Sequence, residues 1–170
     1  MVRIREYRLE DFEELWRLDQ SCFAPGIAYS RFELMHYIRR RNAFTLVVEE
    51  DTAQSAPFIA AFLVAEWRAL RARDSEAEPQ RKVGHIITLD VHSRVRRTGV
   101  GSRLMDEAER RLQQAGCDTV YLETAVNNHP AIAFYKRLGY SVLKTIPRYY
   151  EGSLDALLMG KVLSENCRPG

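Results

Sequence analysis

Two arginines stand directly before two closely spaced glycines in the segment VRRTGVGSRL, residues 95–104. Glycines let a backbone approach a ligand closely, and consecutive N–H groups at the start of a helix attract an anion. Arg96 and Arg97 can add charge-assisted contacts to a phosphate. The segment therefore predicts a phosphate-binding loop, although a helix start with solvated arginines has the same pattern.

The spacing of these glycines excludes two common phosphate sites. A dinucleotide fold needs G-x-G-x-x-G, and the third glycine position here is Leu104. A P-loop needs Gly-Lys followed by Ser or Thr, which this segment lacks. What remains is R-x-x-G-x-G, formed by Arg96, Gly99 and Gly101 between a strand and a long helix.

The strands and helices predicted around this loop indicate one α/β domain. Strands are predicted at residues 2–7, 43–50, 57–67, 83–91, 117–126, 140–146 and 153–163, and helices at residues 10–20, from 30, 99–115 and 129–139. The second helix opens with the capping box Ser30–Glu33, and we expect it to bury Phe32, Met35 and Ile38. The run at 57–67 predicts a central strand covered on both faces. Residues 68–82 have no apolar period and predict a mobile excursion.

Composition excludes several classes of protein. The 170 residues are 46% hydrophobic, and their net charge of +2 gives no reason to expect a nucleic-acid partner. Three cysteines, Cys22, Cys117 and Cys167, have neither metal-ligand nor redox spacing. The early charges at the N-terminus argue against a signal peptide, and no apolar run reaches the ~20 residues that span a bilayer. We expect a cytoplasmic protein without a membrane partner.

The segment LDVHSRVRRTGVGSRLMDEAERRL, residues 89–112, resembles the acyl-CoA-binding motif of the GNAT acetyltransferase superfamily. Two further segments, YLETAVNNHPAIAFYKRLGY and RYYEGSLDALLM, are similar to the RimI-like protein N-terminal (ribosomal-protein alanine) acetyltransferases. The resemblance covers nearly the whole chain. It implies a single-domain GNAT fold over residues 1–163 with a tail at 164–170. This fold has a mixed sheet of about seven strands and four helices, splayed at the acetyl-CoA cleft.

The resemblance also assigns acetyl-CoA as the co-substrate, with no metal. Its pantetheine arm would pair with the backbone of Leu89, Asp90 and Val91. The pyrophosphate positions match Arg96, Arg97, Thr98, Gly99, Val100, Gly101 and Ser102. Asn128 matches a coenzyme-contacting residue, although a plain helix cap explains it as well.

Glu123 matches the general base of the RimI-like enzymes, and Tyr135 matches the general acid beside the coenzyme sulfur. An amine must lose a proton before it attacks a thioester, and the leaving thiolate needs one. His85 matches a Tyr that orders a relay water in some relatives, and it shares strand parity with Ile87. A solvated acid, a core aromatic and a core histidine remain the alternatives for these three residues.

Two segments correspond to the walls of a peptide slot in the family. Phe23, Pro25 and Tyr29 would line one side, and Tyr149 and Tyr150 the other. At neutral pH, deprotonation costs about 1 kcal/mol for a peptide α-amine and about 4 kcal/mol for lysine, so one modest base suits an α-amine.

We therefore predict direct transfer of an acetyl group to a protein N-terminal amine in a ternary complex, by a monomer or weak homodimer. A lysine or small-amine acetyltransferase, and a non-catalytic acyl-CoA sensor or subunit, are the alternatives on the same fold.

Overall fold

The computed structural model describes residues 2–52, 55–70 and 81–163. Within these ranges the backbone forms seven strands and four α-helices, which confirms the predicted α/β fold. In chain order they are β1 Val2–Glu6, α1 Phe12–Cys22, α2 Arg31–Ile38, β2 Ala43–Thr52, β3 Ser55–Ala69, β4 Lys82–Val91, α3 Val100–Gln114, β5 Cys117–Ala125, α4 His129–Arg137, β6 Ser141–Tyr150 and β7 Leu154–Val162. Most of the predicted excursion at 68–82 and the whole predicted tail at 164–170 lie outside the described residues.

The seven strands form one mixed sheet in the order β1-β2-β3-β4-β5-β7-β6. β1 and β2 are antiparallel, as are β5 and β7 and the outer pair β6 and β7. β5 runs parallel to β4 and pairs with Lys82–Ile86, the first half of that strand. Leu89, Asp90 and Val91 lie beyond this paired segment. Among the described helices none is both long and apolar enough to cross a bilayer.

The chain divides into two compact units. The first unit comprises residues 1–65 and 87–108, and the second comprises residues 66–86 and 109–170. The core of the first unit is an aliphatic and aromatic cluster in which helices α1 and α2 contribute Leu15, Leu18 and Leu34. Strands β2 and β3 contribute Val47 and Phe62 to the same cluster.

Helix α2 begins as predicted but presents a different face to the core. The Ser30 hydroxyl accepts the Glu33 N–H, and the Glu33 carboxylate accepts the Ser30 N–H, which completes the capping box. Leu34 is fully buried, whereas Phe32 is 82% exposed, so the prediction that Phe32 is buried is wrong. Only one side of an eight-residue helix can contact the core, and Leu34 and Phe32 point to different sides.

In the second unit, helix α3 packs closely on β4. A Cβ atom at Gly84 would lie 2.6 Å from a methyl carbon of Leu112, so a side chain there would force the leucine to move. The predicted apolar face of α3 is confirmed, since Val100, Leu104, Ala108 and Leu112 are all buried. Gly84 thus sets a short distance between the helix and the strand that carries the next residue, His85.

The outer strand β6 is interrupted near its end. The ladder with β7 shifts register between Ile146 and Tyr150, and Arg148 within this bulge has a positive φ of 52°. The Arg148 N–H donates to the Asp155 carboxylate at 2.9 Å instead of to a strand. Pairing resumes after the bulge, where Tyr150 is opposite Leu154 of β7.

Candidate active site

The second unit brings together two residues that the sequence places in a proton relay. His85 lies on β4 and Glu123 on β5, two residues after Tyr121, with which His85 is in register. Nε2 of His85 lies 2.6 Å from Oε2 of Glu123. Both side chains reach solvent, with 22% of His85 and 18% of Glu123 exposed. The pair can therefore exchange a proton with a molecule bound at the surface.

The imidazole of His85 is protonated at neutral pH. Burial lowers the pKa of His85, but the hydrogen bond to Glu123 and the carboxylate of Glu66, 3.7 Å away, outweigh burial and raise this pKa from 6.5 to about 9. The Nε2–H group then donates to the Glu123 carboxylate. Since an imidazolium has no free lone pair, Glu123 is the member of the pair that carries acceptor atoms.

Glu66 of β3 is a site residue that the sequence analysis missed. Its Oε1 atom lies 3.7 Å from Nδ1 of His85 and also accepts hydrogen bonds from the guanidinium of Arg68. The available signal was a carboxylate within the otherwise apolar run at residues 57–67. That run is buried from Ile59 through Glu66, which confirms the prediction of a central strand covered on both faces.

Tyr135 lies on α4, the helix that follows the strand of Glu123. It is buried, and its ring contacts the rings of Phe134 and Tyr140 at centroid distances of 5.2 and 5.9 Å. These contacts are the ones expected if Tyr135 is an aromatic residue of the core. The general-acid role of Tyr135 stays a prediction.

Asn128 is the N-cap of α4. Its side-chain oxygen accepts the Ala131 N–H at 3.3 Å, and Pro130 occupies the first turn, where a missing N–H has no cost. The helix-cap interpretation of Asn128 is confirmed, and its contact with a coenzyme stays a prediction.

In the first unit, the glycine loop has the backbone of an anion site. Arg97 and Gly99 have positive φ angles of 64° and 86°, and a Cβ at Gly99 would meet no atom within 4 Å. The first backbone hydrogen bond of α3 runs from the Arg103 N–H to the Gly99 carbonyl. The N–H groups of residues 100–102 therefore precede the helical ladder and lie at its positive end. Ser102 belongs to this first turn, while the hydroxyl of Thr98 donates to the Val95 carbonyl.

The two arginines of the loop differ in their contacts. Nε of Arg96 donates to the Val91 carbonyl at 3.0 Å, and its Nη2 lies 3.8 Å from Sγ of Cys22 at the end of α1. Both arginines are exposed. Arg96 thus connects the loop to β4 and α1, whereas no hydrogen bond or ion pair holds the Arg97 side chain within the described part of the chain.

Burial alternates from residue to residue along the second half of β4, as the sequence predicts. His85, Ile87, Leu89 and Val91 share the half-buried face of the strand, while Asp90 on the other face is fully buried. The Asp90 carboxylate accepts the Thr88 hydroxyl at 3.1 Å. Burial, reinforced by the charge of Asp19, raises the pKa of Asp90 well above its usual range.

Asp19 at the end of α1 fixes the loop of the predicted substrate residues. Its carboxylate accepts the Tyr29 N–H at 2.8 Å, and the Tyr29 hydroxyl donates to the Ile87 carbonyl at 3.3 Å. Burial raises the pKa of Asp19 to about 6, against the opposing effect of the Tyr29 N–H. Tyr29 is therefore held at both ends, whereas Phe23 is half-buried and Pro25 is exposed.

Tyr149 and Tyr150 follow the bulge of β6. Tyr149 is 46% exposed, and the rings stand nearly perpendicular with centroids 4.9 Å apart. Burial raises the pKa of Tyr150, and Tyr149 and Glu123 raise it further, so Tyr150 lies in the electrostatic range of Glu123. At least one of the two tyrosines, Tyr149, therefore lies outside the core.

Comparison with known proteins gives consistent results. The chain matches the Acetyltransferase (GNAT) family over residues 9–140. It is 35% identical over 162 residues to an N-alpha-acetyltransferase of Sulfolobus acidocaldarius, covering 95% of this chain and 92% of that protein. A second relative, the N-alpha-acetyltransferase of Saccharolobus solfataricus, is 32% identical over 94% of this chain and 92% of its own length.

Solved structures with the same fold include Ard1 from Thermoplasma volcanium, with a TM-score of 0.76 and 26% identity over 96% of this chain and 99% of that one. A chain of the NatC complex, solved with a Gag peptide and CoA, has a TM-score of 0.80. It is 21% identical over 96% of this chain and 99% of its own, which is similarity of fold.

Proposed function

Because the chain belongs to the Acetyltransferase (GNAT) family, we propose that it is an N-terminal acetyltransferase, which moves an acetyl group from acetyl-CoA to the α-amine of a protein or peptide. The relatives named N-alpha-acetyltransferase support this acceptor. The observation that carries the proposal is the contact between His85 and Glu123, since it supplies the proton acceptor that the reaction needs. We further infer one cytoplasmic catalytic domain over residues 1–163.

The acyl donor fits the glycine loop. Its diphosphate would accept from the N–H groups of Gly101 and Ser102 at the start of α3, and Arg97 would add a cation. The open space beside Gly99 supports close approach of a ligand to the backbone. Leu89 and Val91 would offer backbone groups to the pantetheine arm. Bound in this way, the donor supplies a thioester carbonyl and a thiolate leaving group.

Two side chains would handle the protons. Glu123 takes a proton from the incoming ammonium, directly or through one water, while the imidazolium of His85 holds its carboxylate in place. The freed amine attacks the thioester carbonyl and forms the new C–N bond. The nitrogen of this adduct then releases its second proton to solvent water, and the C–S bond breaks. Tyr135 gives its hydroxyl proton to the departing sulfur and is reprotonated from solvent. No step needs an acyl-enzyme, because Glu123 and Tyr135 act only on protons.

The α-amine is the acceptor that this machinery suits best. A peptide amine near pKa 8 loses its proton at neutral pH for about 1 kcal/mol, within reach of one carboxylate. Tyr149 and Tyr150 would bind the peptide backbone near Glu123, and Phe23, Pro25 and Tyr29 would select its first residues.

The test is acetyl-CoA-dependent thiol release with short peptides that differ in their first residue. Each peptide is paired with an N-terminally blocked version that contains an internal lysine. Release that requires the free N-terminus, and that falls about 100-fold or more in Glu123→Gln, is the expected result. Release from the blocked peptides would make the protein a lysine acetyltransferase, and full activity of Glu123→Gln would reject the base.

A further inference from the structure

Glu66 is a carboxylate buried inside the central strand β3. The residues before it, Ile59–Ala65, are all buried, and 5% of the Glu66 side chain is exposed. A buried carboxylate costs free energy unless charged partners compensate it. The guanidinium of Arg68 and the imidazole of His85 provide that compensation. Glu66 is therefore part of the same charged cluster as the proton relay.

His85 lies between two carboxylates. Its Nε2 atom is 2.6 Å from Glu123, and its Nδ1 atom is 3.7 Å from Glu66. A neutral imidazole carries a single N–H group. The imidazolium carries two, so its Nε2–H group can donate to Glu123 while its Nδ1–H group faces the Glu66 carboxylate. Loss of either proton would leave one of the two carboxylates opposite a bare ring nitrogen.

The charged and titratable groups near His85 come from three elements. Glu66 and Arg68 belong to β3, Glu123 belongs to β5, and Tyr150, whose pKa Glu123 raises, lies at the end of β6. The two carboxylates favour the imidazolium, and Arg68 opposes it. An imidazolium balances the charges of this cluster, whereas a neutral ring leaves one negative charge uncompensated.

We propose that Glu66 is a positioning residue for acetyl transfer, a role that rests on the proposed function. Its buried carboxylate faces Nδ1 and favours the imidazolium form of His85, whose Nε2–H group donates to Glu123. Glu66 acts through His85 and has no direct contact with the reacting amine. An imidazolium held between two carboxylates keeps Glu123 in place for the proton transfer.

Glu66→Gln is the direct test, because it removes the charge and keeps the shape. We measure the ring ¹⁵N shifts of His85 in the free enzyme as a function of pH, with the signal assigned by its loss in His85→Gln. We expect the pKa of His85 to fall by one pH unit or more. We also expect kcat to fall about 10-fold to 100-fold, with the peptide KM unchanged.

Arg68→Gln is a second variant, and its expected effect on the pKa of His85 is opposite to that of Glu66→Gln. Arg68 is exposed, so the substitution is compatible with folding, and losing its charge should raise the pKa of His85. This measurement keeps the proposal testable if Glu66→Gln does not fold. Glu10→Gln, at an exposed glutamate of the first unit, is the matched control and should leave both readouts unchanged.

Two results would overturn the positioning role. One is a His85 titration that is the same in Glu66→Gln as in the native protein. The other is a titration that does not move upward in Arg68→Gln. Because the spectra need no substrate, an enzyme that is inactive on every free peptide would reject the proposed function and leave the effect of Glu66 on His85 standing.

Discussion

Tyr150 lies in the electrostatic range of Glu123, and that carboxylate contributes, after burial and Tyr149, to a raised pKa of the Tyr150 hydroxyl. The hydroxyl therefore stays protonated and is available to donate to a bound peptide carbonyl. Tyr150→Phe should raise the peptide KM about 3-fold to 10-fold, the usual value of one hydrogen bond, with little change in kcat. Steady-state kinetics test this, with Tyr37→Phe as the control. A loss confined to kcat would show that Tyr150 acts on the reacting groups instead.

The ion pair of His85 makes stability depend on pH. Its pKa rises from 6.5 to about 9 on folding, so its contribution is fully present below pH 6.5 and is lost as pH rises through 9. The difference corresponds to about 3 kcal/mol in the free energy of unfolding. The free energy of unfolding measured in urea should therefore fall between pH 6.5 and pH 9 in the native protein. It should fall less over the same range in His85→Gln. Parallel curves for the two proteins would contradict the assigned shift.

The carboxyl groups of Asp19 and Asp90 make the free energy of unfolding depend on pH in the acid range. Burial raises both pKa values above 3.8, that of Asp19 to about 6, so the folded state binds more protons than the unfolded chain. The free energy of unfolding then falls as pH rises from about 4 through 6, by about 3 kcal/mol for Asp19. One oxygen of each carboxylate lacks a hydrogen-bond partner among the described residues.

Asp90→Asn removes one of these charges at nearly constant shape. It should raise the thermal midpoint at pH 8 and leave it nearly unchanged at pH 4, where the native carboxyl is already neutral. Asp106→Asn, at an exposed site on α3, serves as the control and should shift neither value. A lower midpoint at pH 8 would mean that the Asp90 carboxylate is stabilising when ionised.

The different contacts of Arg96 and Arg97 predict different effects on binding of acetyl-CoA. Arg97→Gln should raise the KM for acetyl-CoA about 10-fold and weaken its salt dependence, because a charge-assisted contact to phosphate contributes about 1.5–3 kcal/mol. Arg96→Gln should lower the thermal midpoint instead, since Arg96 binds the Val91 carbonyl and contacts Cys22. Arg41→Gln is the exposed control. Equal KM effects for Arg96 and Arg97 would reject the division of roles.

Local patterns made much of the fold predictable. The apolar period of α3 from Val100 to Leu112 and the capping box of Ser30 depend on neighbours within a few residues. Phe32 was assigned to the wrong face because the orientation of α2 depends on the contacts of Leu34 with residues distant in sequence.

The candidate site needed more than local pattern. His85 and Glu123 are 38 residues apart, and the resemblance to a family suggested both without fixing their contact. Glu66 was missed because a carboxylate in an apolar run has meaning only once the neighbouring strand shows what faces it. The raised pKa values of Asp19 and Asp90 were not predicted for the same reason, since each depends on burial that the sequence does not reveal.

The bulge of β6 also affects how the protein behaves at high concentration. An outer strand with an unbroken row of N–H and C=O groups can template aggregation with other chains. Here the register shift after Ile146 and the ring of Pro147 break that row, and the carboxylate of Asp155 occupies the Arg148 N–H. The same irregularity lies directly before Tyr149 and Tyr150. Selection that keeps the positions of the tyrosines would thus also maintain solubility. A mutation that straightened the strand would impair both peptide binding and solubility.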